Sequence, residues 1–335
     1  MKKNKINIAL FGLGRIGQMH AQNLFDHNEF NLKYIFDIDN RLSKKFSKKY
    51  NCISIIKPKI ALNDKKVKII FIATSTKSHL KFIQAAVKEK KIVFCEKPLD
   101  LDLKKINICK KKISSYKPQI QMGFNRRYDP SHHSLKQNLN KNKIGKLEKI
   151  IITSRDPSPP SLNYIKKSGG IFKDMMIHDF DLARYYAGND KFEHIFATGN
   201  KFSDKKYKKI NDLELATVVL KSKRGIQCII TNSRHCSFGY DQRVELFGKK
   251  GMLISGNKKV NSTELFNSNQ TNSQKPLLNF FIERYNDSYN IQLKELISLH
   301  KNKIKSRSTF EDGYQALRLA NAAYKSLRLK KTIKI

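Results

Sequence analysis

Ile6-Asn7-Ile8-Ala9-Leu10-Phe11-Gly12-Leu13-Gly14-Arg15-Ile16-Gly17 is the stretch whose reading decides the fold. Its first half is an apolar run of strand length, and its second half is Gly-x-Gly-x-x-Gly, which leads into a helical pattern from Arg15 to about Phe25. A second strand, Leu32 to Phe36, ends at Asp37, 20 residues past Gly17. Strand, glycine turn, helix, strand and acid in this order form a dinucleotide fingerprint. The first glycine allows a tight turn, the second lets the backbone approach a pyrophosphate, and the third lets helix pack on strand. Gly12, Gly14, Arg15, Ile16, Gly17 and Asp37 are therefore the expected cofactor contacts. The helix N-terminus offers free N–H groups to phosphate. An acid at Asp37 accepts bonds from ribose hydroxyls and repels a 2′-phosphate, so NAD is expected, while Arg41 just past the strand leaves NADP open.

Outward from this stretch the alternation continues. Val67 to Ala73 reads as a buried strand, Ser78 to Lys88 as a helix and Ile92 to Cys95 as a strand, which predicts a doubly wound parallel sheet. Ligands in such sheets collect outside the carboxyl ends of the strands, which places Thr74, Ser75, Glu96 and Lys97 at the crevice. A helix over Leu103 to Ser115 and a strand over Gln119 to Gly123 complete this domain, and the junction is expected at Phe124, dividing the chain into 1–123 and 124–335. Beyond it the pattern changes. Strands are expected at Ile150–Ser154, Ala216–Leu220, Gly225–Thr231 and Val244–Gly248, without helices between the last three. That succession predicts an α+β domain with a large, mainly antiparallel sheet. Helices over about Leu277 to Leu299 and Phe310 to Leu327 close the chain, and the polar tract Asn267 to Gln274 is expected to be mobile.

Within the second domain, Ser168-Gly169-Gly170 gives way to Ile171 through Ala187, read as one helix stopped by Gly188. Spacing of four would put Asp174 one turn from His178, with Asp181 following at i+3. A carboxylate beside an imidazole fixes the ring's tautomer and raises its basicity, as a proton transfer requires. A plainer account of the same residues is a helix start with acids favoured by the macrodipole. Zinc chemistry through Asp174, His178, Asp181 and His132 or His133 is poorly supported, because the paired histidines are adjacent rather than at ligand spacing, so no metal is expected.

The composition of the 335 residues limits the function classes. The formal charge is +39, with 54 lysines and 13 arginines, yet the lysines are scattered in pairs such as Lys44-Lys45 and Lys205-Lys206. Without a long basic block or interleaved aromatics, this is a drift in composition, and no nucleic-acid partner is expected. No run approaches the ~18 apolar residues of a membrane span. Five cysteines, odd in number and without C-x-x-C spacing, suit reduced thiols. A cytoplasmic enzyme working away from membranes is the expectation.

Taken together, these motifs resemble the Gfo/Idh/MocA oxidoreductase family, and within it the inositol dehydrogenases. The resemblance covers essentially the whole chain, through Gly12-Leu-Gly14-Arg-Ile-Gly17 with His20, Phe94-Cys95-Glu96-Lys97-Pro98-Leu99, Gly123 to Asp129, Ser154-Arg155-Asp156-Pro157, Ser168 to Asp181, Phe238-Gly239-Tyr240-Asp241 and Asp312-Gly313-Tyr314. It implies a Rossmann domain, a second domain whose open sheet forms a homodimer or homotetramer face, and a constellation of Lys97, Asp174 and His178. It further implies NAD-dependent oxidation of a small polyol, myo-inositol to 2-keto-myo-inositol. In that reaction His178 takes the hydroxyl proton, Asp174 backs it and Lys97 stabilises the alkoxide. Asn125, Arg127, Arg155, Asp156 and Tyr240 are the expected hydroxyl contacts. Another inositol isomer or a sugar would keep the constellation and change the pocket wall, and a non-catalytic NAD-binding regulator would lose it.

Overall fold

The computed structural model describes residues 5–335 apart from 203, 205, 206, 208, 209, 302 and 303. The chain divides into two compact units, the first running to Asn125 and including Tyr289–Tyr314, the second comprising Arg126–Ser288 and Gln315–Ile335.

The first unit alternates β1 (Ile6–Phe11), α1 (Arg15–Asp26), β2 (Phe30–Phe36), α2 (Asn40–Lys49), β3 (Ile53–Ser54), α3 (Lys59–Asn63), β4 (Val67–Ile72), α4 (Thr76–Lys88), β5 (Ile92–Cys95), α5 (Leu103–Ile113) and β6 (Ile120–Met122). The six strands are all parallel, in the order β3-β2-β1-β4-β5-β6. This is the doubly wound order, which reverses direction between β1 and β4 and opens a crevice there. Ile8, Leu10, Ile69, Phe71 and Phe94 are wholly buried, because a parallel sheet is covered on both faces. Phe71 and Phe94 stack at 3.8 Å between ring centres. Into the same core go Leu293, Leu296, Ile297 and Leu299, from a late helix. A linear division at 123/124 assigns that helix to the second domain; its apolar residues pack in the first. Burying four such side chains contributes on the order of 6–12 kcal/mol before entropy is counted, as much as the net stability of a whole domain.

The second unit holds α6 (Pro130–Asn140), β7 (Leu147–Arg155), α7 (Leu162–Ser168), α8 (Ile171–Asp174), α9 (Ile177–Ala187), β8 (Phe192–Lys201), β9 (Leu213–Ser222), β10 (Gln227–Ser233), β11 (Asp241–Gly248) and β12 (Gly251–Ser255). There follow β13 (Glu264–Leu265), β14 (Ser273–Gln274), α10 (Phe281–Arg284), α11 (Asn286–His300), α12 (Phe310–Leu329) and β15 (Ile333–Lys334), with α11 and α12 each crossing from one unit to the other along the chain. Seven strands form one sheet in the order β12-β11-β7-β10-β9-β8-β15, antiparallel except for the parallel pair β7 and β10. Alternation sends Ile150, Ile152, Val218, Leu220, Cys228, Ile230, Val244 and Leu246 inward. α9 packs against β7. The outward positions form a register row of Ile254, Glu245, Ile151, Ile229, Val219 and Phe196 across six strands. β8, β12 and β15 escape the sequence reading, and the Asn267 to Gln274 tract is closed by the β13–β14 ladder.

Candidate functional site

Every cofactor residue expected from sequence lies at the carboxyl edge of the parallel sheet. The Gly12 N–H donates to the Phe36 carbonyl at 2.8 Å, and the Ala73 N–H to the Phe11 carbonyl at 2.7 Å, so the ends of β1, β2 and β4 are tied side by side. Gly12 has φ +97°, and a β-carbon there would meet the Ala73 carbonyl at 2.5 Å; one at Gly17 would strike the Gly12 carbonyl oxygen. Both positions require glycine. Gly14 differs, because nothing lies within 4 Å of where its side chain would be. It also caps α1 without a side chain to occupy the first N–H groups. An open glycine in front of free helix N–H groups suits a pyrophosphate, so Gly12, Gly14, Arg15, Ile16 and Gly17 fit a dinucleotide. Asp37 ends β2 with its Oδ2 accepting from the Leu13 N–H at 2.6 Å and its Oδ1 from the Asp39 N–H at 2.9 Å. The loop itself thus fixes the carboxylate expected at the ribose. Thr74 is half-buried, accepting from the Ser78 hydroxyl at 2.7 Å, and Ser75 caps α4 without a side-chain bond.

Glu96 and Lys97 follow β5 directly. The Glu96 carboxylate is buried, with Oε1 2.7 Å from His20 Nε2 and Oε2 accepting the Lys97 N–H at 3.2 Å. It anchors the turn from within, and Lys97 is half-buried between two buried neighbours. Asn125, in the 3₁₀ turn Asn125–Tyr128, is buried and is the last residue of this unit before the chain continues into the second.

In the second unit the expected single helix is two. The Met176 N–H reaches back five residues to the Ile171 carbonyl at 2.9 Å, widening the turn, and a new helix starts at Ile177. Asp174 therefore ends α8 while His178 opens α9, and the two are not a helical turn apart on one element. Asp174 accepts from the Tyr164 hydroxyl at 2.8 Å and faces Arg234 Nη1 at 3.6 Å. Arg234 is 1 % exposed, and its Nη2 donates to Asp212 Oδ2 at 3.0 Å. Asp212 Oδ1 in turn accepts the Ile171 N–H at 2.9 Å, so one carboxylate–guanidinium pair holds α8 at both ends.

His178 is half-exposed between fully buried Ile177 and Asp179. Asp179 fastens the head of α9 to the sheet. Its Oδ1 accepts from Arg126 Nη1 and from the Ser154 hydroxyl at 2.7 Å, and its Oδ2 from Asn232 Nδ2 at 2.8 Å. A buried carboxylate with this many donors is strongly held, and losing one partner costs about 3–5 kcal/mol. Asp181, expected on the His178 face, is buried against Arg127 instead, with Nε and Nη2 donating at 2.7 and 2.6 Å. Arg127 also lies over the Tyr185 ring at 5.0 Å.

Arg155, Asp156 and Tyr240 gather at one end of the seven-stranded sheet, where Arg155 pairs in register with Ser233 and Asp241. Arg155 Nη1 donates to Asp241 Oδ2 at 2.9 Å, and Asp156 N–H to the Ser233 carbonyl at 2.9 Å. Tyr240 is buried edge-on to Tyr285 at 6.1 Å, and burial pushes its phenol well above the ordinary value. Sequence reasoning overlooked Arg234, Asp212, Asn232, Ser154 and the anchoring role of Asp179. Each acts through a partner at least 22 positions away, which no local spacing announces. Among the described residues no group of three His, Cys, Asp or Glu could hold a metal ion, and no helix is long and apolar enough to cross a membrane.

Comparison with known proteins agrees with this fold. Residues 6–124 match the oxidoreductase family with an NAD-binding Rossmann fold, and residues 132–254 the GFO/IDH/MocA C-terminal domain. The chain is 39% identical to the myo-inositol 2-dehydrogenase of Thermotoga maritima over 98% of each chain. It superposes on a myo-inositol dehydrogenase from Corynebacterium glutamicum with TM-score 0.94 and 36% identity, covering 99% of both chains. The scyllo-inositol dehydrogenase of Lactobacillus casei, solved with NAD(H) and scyllo-inositol, gives TM-score 0.91 at 26% identity over 99% of both chains.

Proposed function

Since the chain belongs to the Gfo/Idh/MocA oxidoreductase family and is an NAD-binding dehydrogenase, we propose that it oxidises one hydroxyl of myo-inositol to give 2-keto-myo-inositol. The observation that carries this reading is the half-exposed His178 at the head of a helix fastened by buried Asp179, in a chain that matches inositol-oxidising relatives along its full length.

In this reading His178 takes the hydroxyl proton as the adjacent carbon is oxidised. Bound NAD supplies the hydride acceptor. Lys97, as an ammonium ion, stabilises negative charge developing on the oxygen. Asp174, opposite the buried cation of Arg234, presents a carboxylate that supports positive charge on the His178 ring. A positioned base of this kind contributes roughly 10²–10⁴ in rate. Asn125, Arg155, Asp156 and Tyr240 remain the candidates for hydroxyl contacts. Arg127, with Nε and Nη2 on Asp181, is better read as support for α9. Asp37 favours NAD, and the exposed Arg41 beyond it leaves room for NADP.

The relative crystallised with scyllo-inositol favours a second reading, in which another ring isomer is the substrate. Absorbance of reduced nicotinamide separates the two: purified protein is mixed with NAD or NADP and with myo-inositol, scyllo-inositol, D-chiro-inositol or glucose. A rise with myo-inositol and NAD supports the proposal. Turnover confined to scyllo-inositol or to glucose replaces the substrate and keeps the chemistry.

We further propose that the open face of the seven-stranded sheet meets a second copy of this chain. Phe196, Val219, Phe247, Met252 and Ile254 are each at least 39 % exposed on outward positions. Glu245 and Lys149 lie among them, so a two-fold copy can set carboxylate against ammonium across an apolar centre.

A further inference from the structure

His79 sits on α4, 1 % exposed, and both of its ring nitrogens point at backbone carbonyls. Nδ1 is 2.8 Å from the Pro98 oxygen, and Nε2 is 3.0 Å from the Thr74 oxygen. Those two carbonyls belong to the loops that leave β5 and β4, the loops that carry Lys97 and the Thr74 hydroxyl at the cofactor edge. A neutral imidazole has one N–H and one lone pair. It can close one of these two bonds; the other contact then sets lone pair against lone pair. The imidazolium donates at both ends. The charged groups that act on the ring are Glu96 and Asp100, both acidic and both buried, on the loop after β5. Burial opposes the charge and outweighs the help of the two carbonyls and two carboxylates, so the ring titrates below its ordinary value of 6.5.

We propose that His79 is a positioning residue whose second proton closes a two-ended clasp between the Thr74 and Pro98 loops, and that cofactor affinity rises as this ring is protonated. The inference concerns the NAD site and is independent of which polyol is oxidised. One added bond of ordinary strength corresponds to roughly three- to tenfold in affinity. Binding and protonation are reciprocal, so NAD must raise the ring's pKa by the same factor by which the proton tightens NAD.

The test uses the full chain. NAD dissociation constants are measured by calorimetry from about pH 8 down to about pH 4.5, a range that extends well below ordinary histidine titration because burial lowers this ring. Tightening in acid that disappears in His79→Asn, whose amide is too short to reach both carbonyls, supports the clasp; an identical pH profile in the variant overturns it. Should the variant not fold, ¹⁵N spectra of the His79 ring in the unaltered chain decide the matter without any turnover. A pKa that rises on adding NAD, with both nitrogens protonated in acid, supports the proposal. A ring that keeps one proton across the range, or a pKa indifferent to NAD, overturns it.

Discussion

Arg234 touches Asp174 and Asp212 from a fully buried position, which makes it the residue whose loss should separate placement of Asp174 from cofactor binding. Arg234→Met is expected to lower kcat about tenfold, the worth of one ~1.4 kcal/mol interaction, while the NAD dissociation constant stays within twofold. A variant that kept full turnover would remove Asp174 from the mechanism. His178→Ala should lose roughly 10²–10⁴ in kcat, the contribution of a positioned base, with NAD still bound; stopped-flow absorbance at the reduced-nicotinamide band checks it. The glycine turn and Asp37 were legible because their meaning lies in local spacing, and the loop closes as that spacing implies. The position of Lys97 just past the end of β5 was legible in the same way. Arg234 was not, because its partners stand 60 and 22 positions earlier and only the folded sheet brings them to it.

Helix α9 is an element held by its second residue's neighbour: Asp179 receives Arg126, Ser154 and Asn232 while His178 beside it stays accessible. Asp179→Ala leaves the Arg126 guanidinium without this carboxylate and should cost about 3–5 kcal/mol, read as a lowered urea midpoint. Helical periodicity foresaw the end of this element at Gly188 and missed its beginning. Apolar residues continue in helical order through Met175 and Met176, but the widened turn back to Ile171 is set by contacts of Asp212 and Asp179 that the pattern does not encode. The strands were legible where they are buried and β-branched, as in β1, β7 and β10. β8 was not, since half of its residues are exposed and most of those are polar. Helix α6 carries a pH dependence of its own. Burial drives the His132 ring down to about 4, so the folded chain refuses a proton that the unfolded chain accepts below 6.5. Stability should therefore fall as pH drops from about 6.5 toward about 4, by on the order of 3 kcal/mol in full. Melting temperatures of His132→Phe across this window should slope less steeply than those of the unaltered chain.

Taken whole, the molecule carries +39 formal charges over a fold whose open sheet face presents a row across six strands that is apolar except for Glu245. Val219→Glu, an exposed position in that row, should shift sedimentation toward the single 38.9 kDa chain without changing the melting temperature by more than a few degrees. Assembly unchanged by this charge would place the contact elsewhere. The alternation of strands and helices made the two layers of the fold readable, but the composition of the first core was not, because Leu293 to Leu299 return to it after the whole second sheet has been traced. That return sets a timetable for synthesis. A ribosome making some 5–20 residues per second supplies the last wall of that core only some tens of seconds to a minute after it has made the glycine turn. Until then the nascent parallel sheet displays Phe71 and Phe94 without their late partners, so a sheet made well before the second one completes its core only after it and stands to gain from a chaperone.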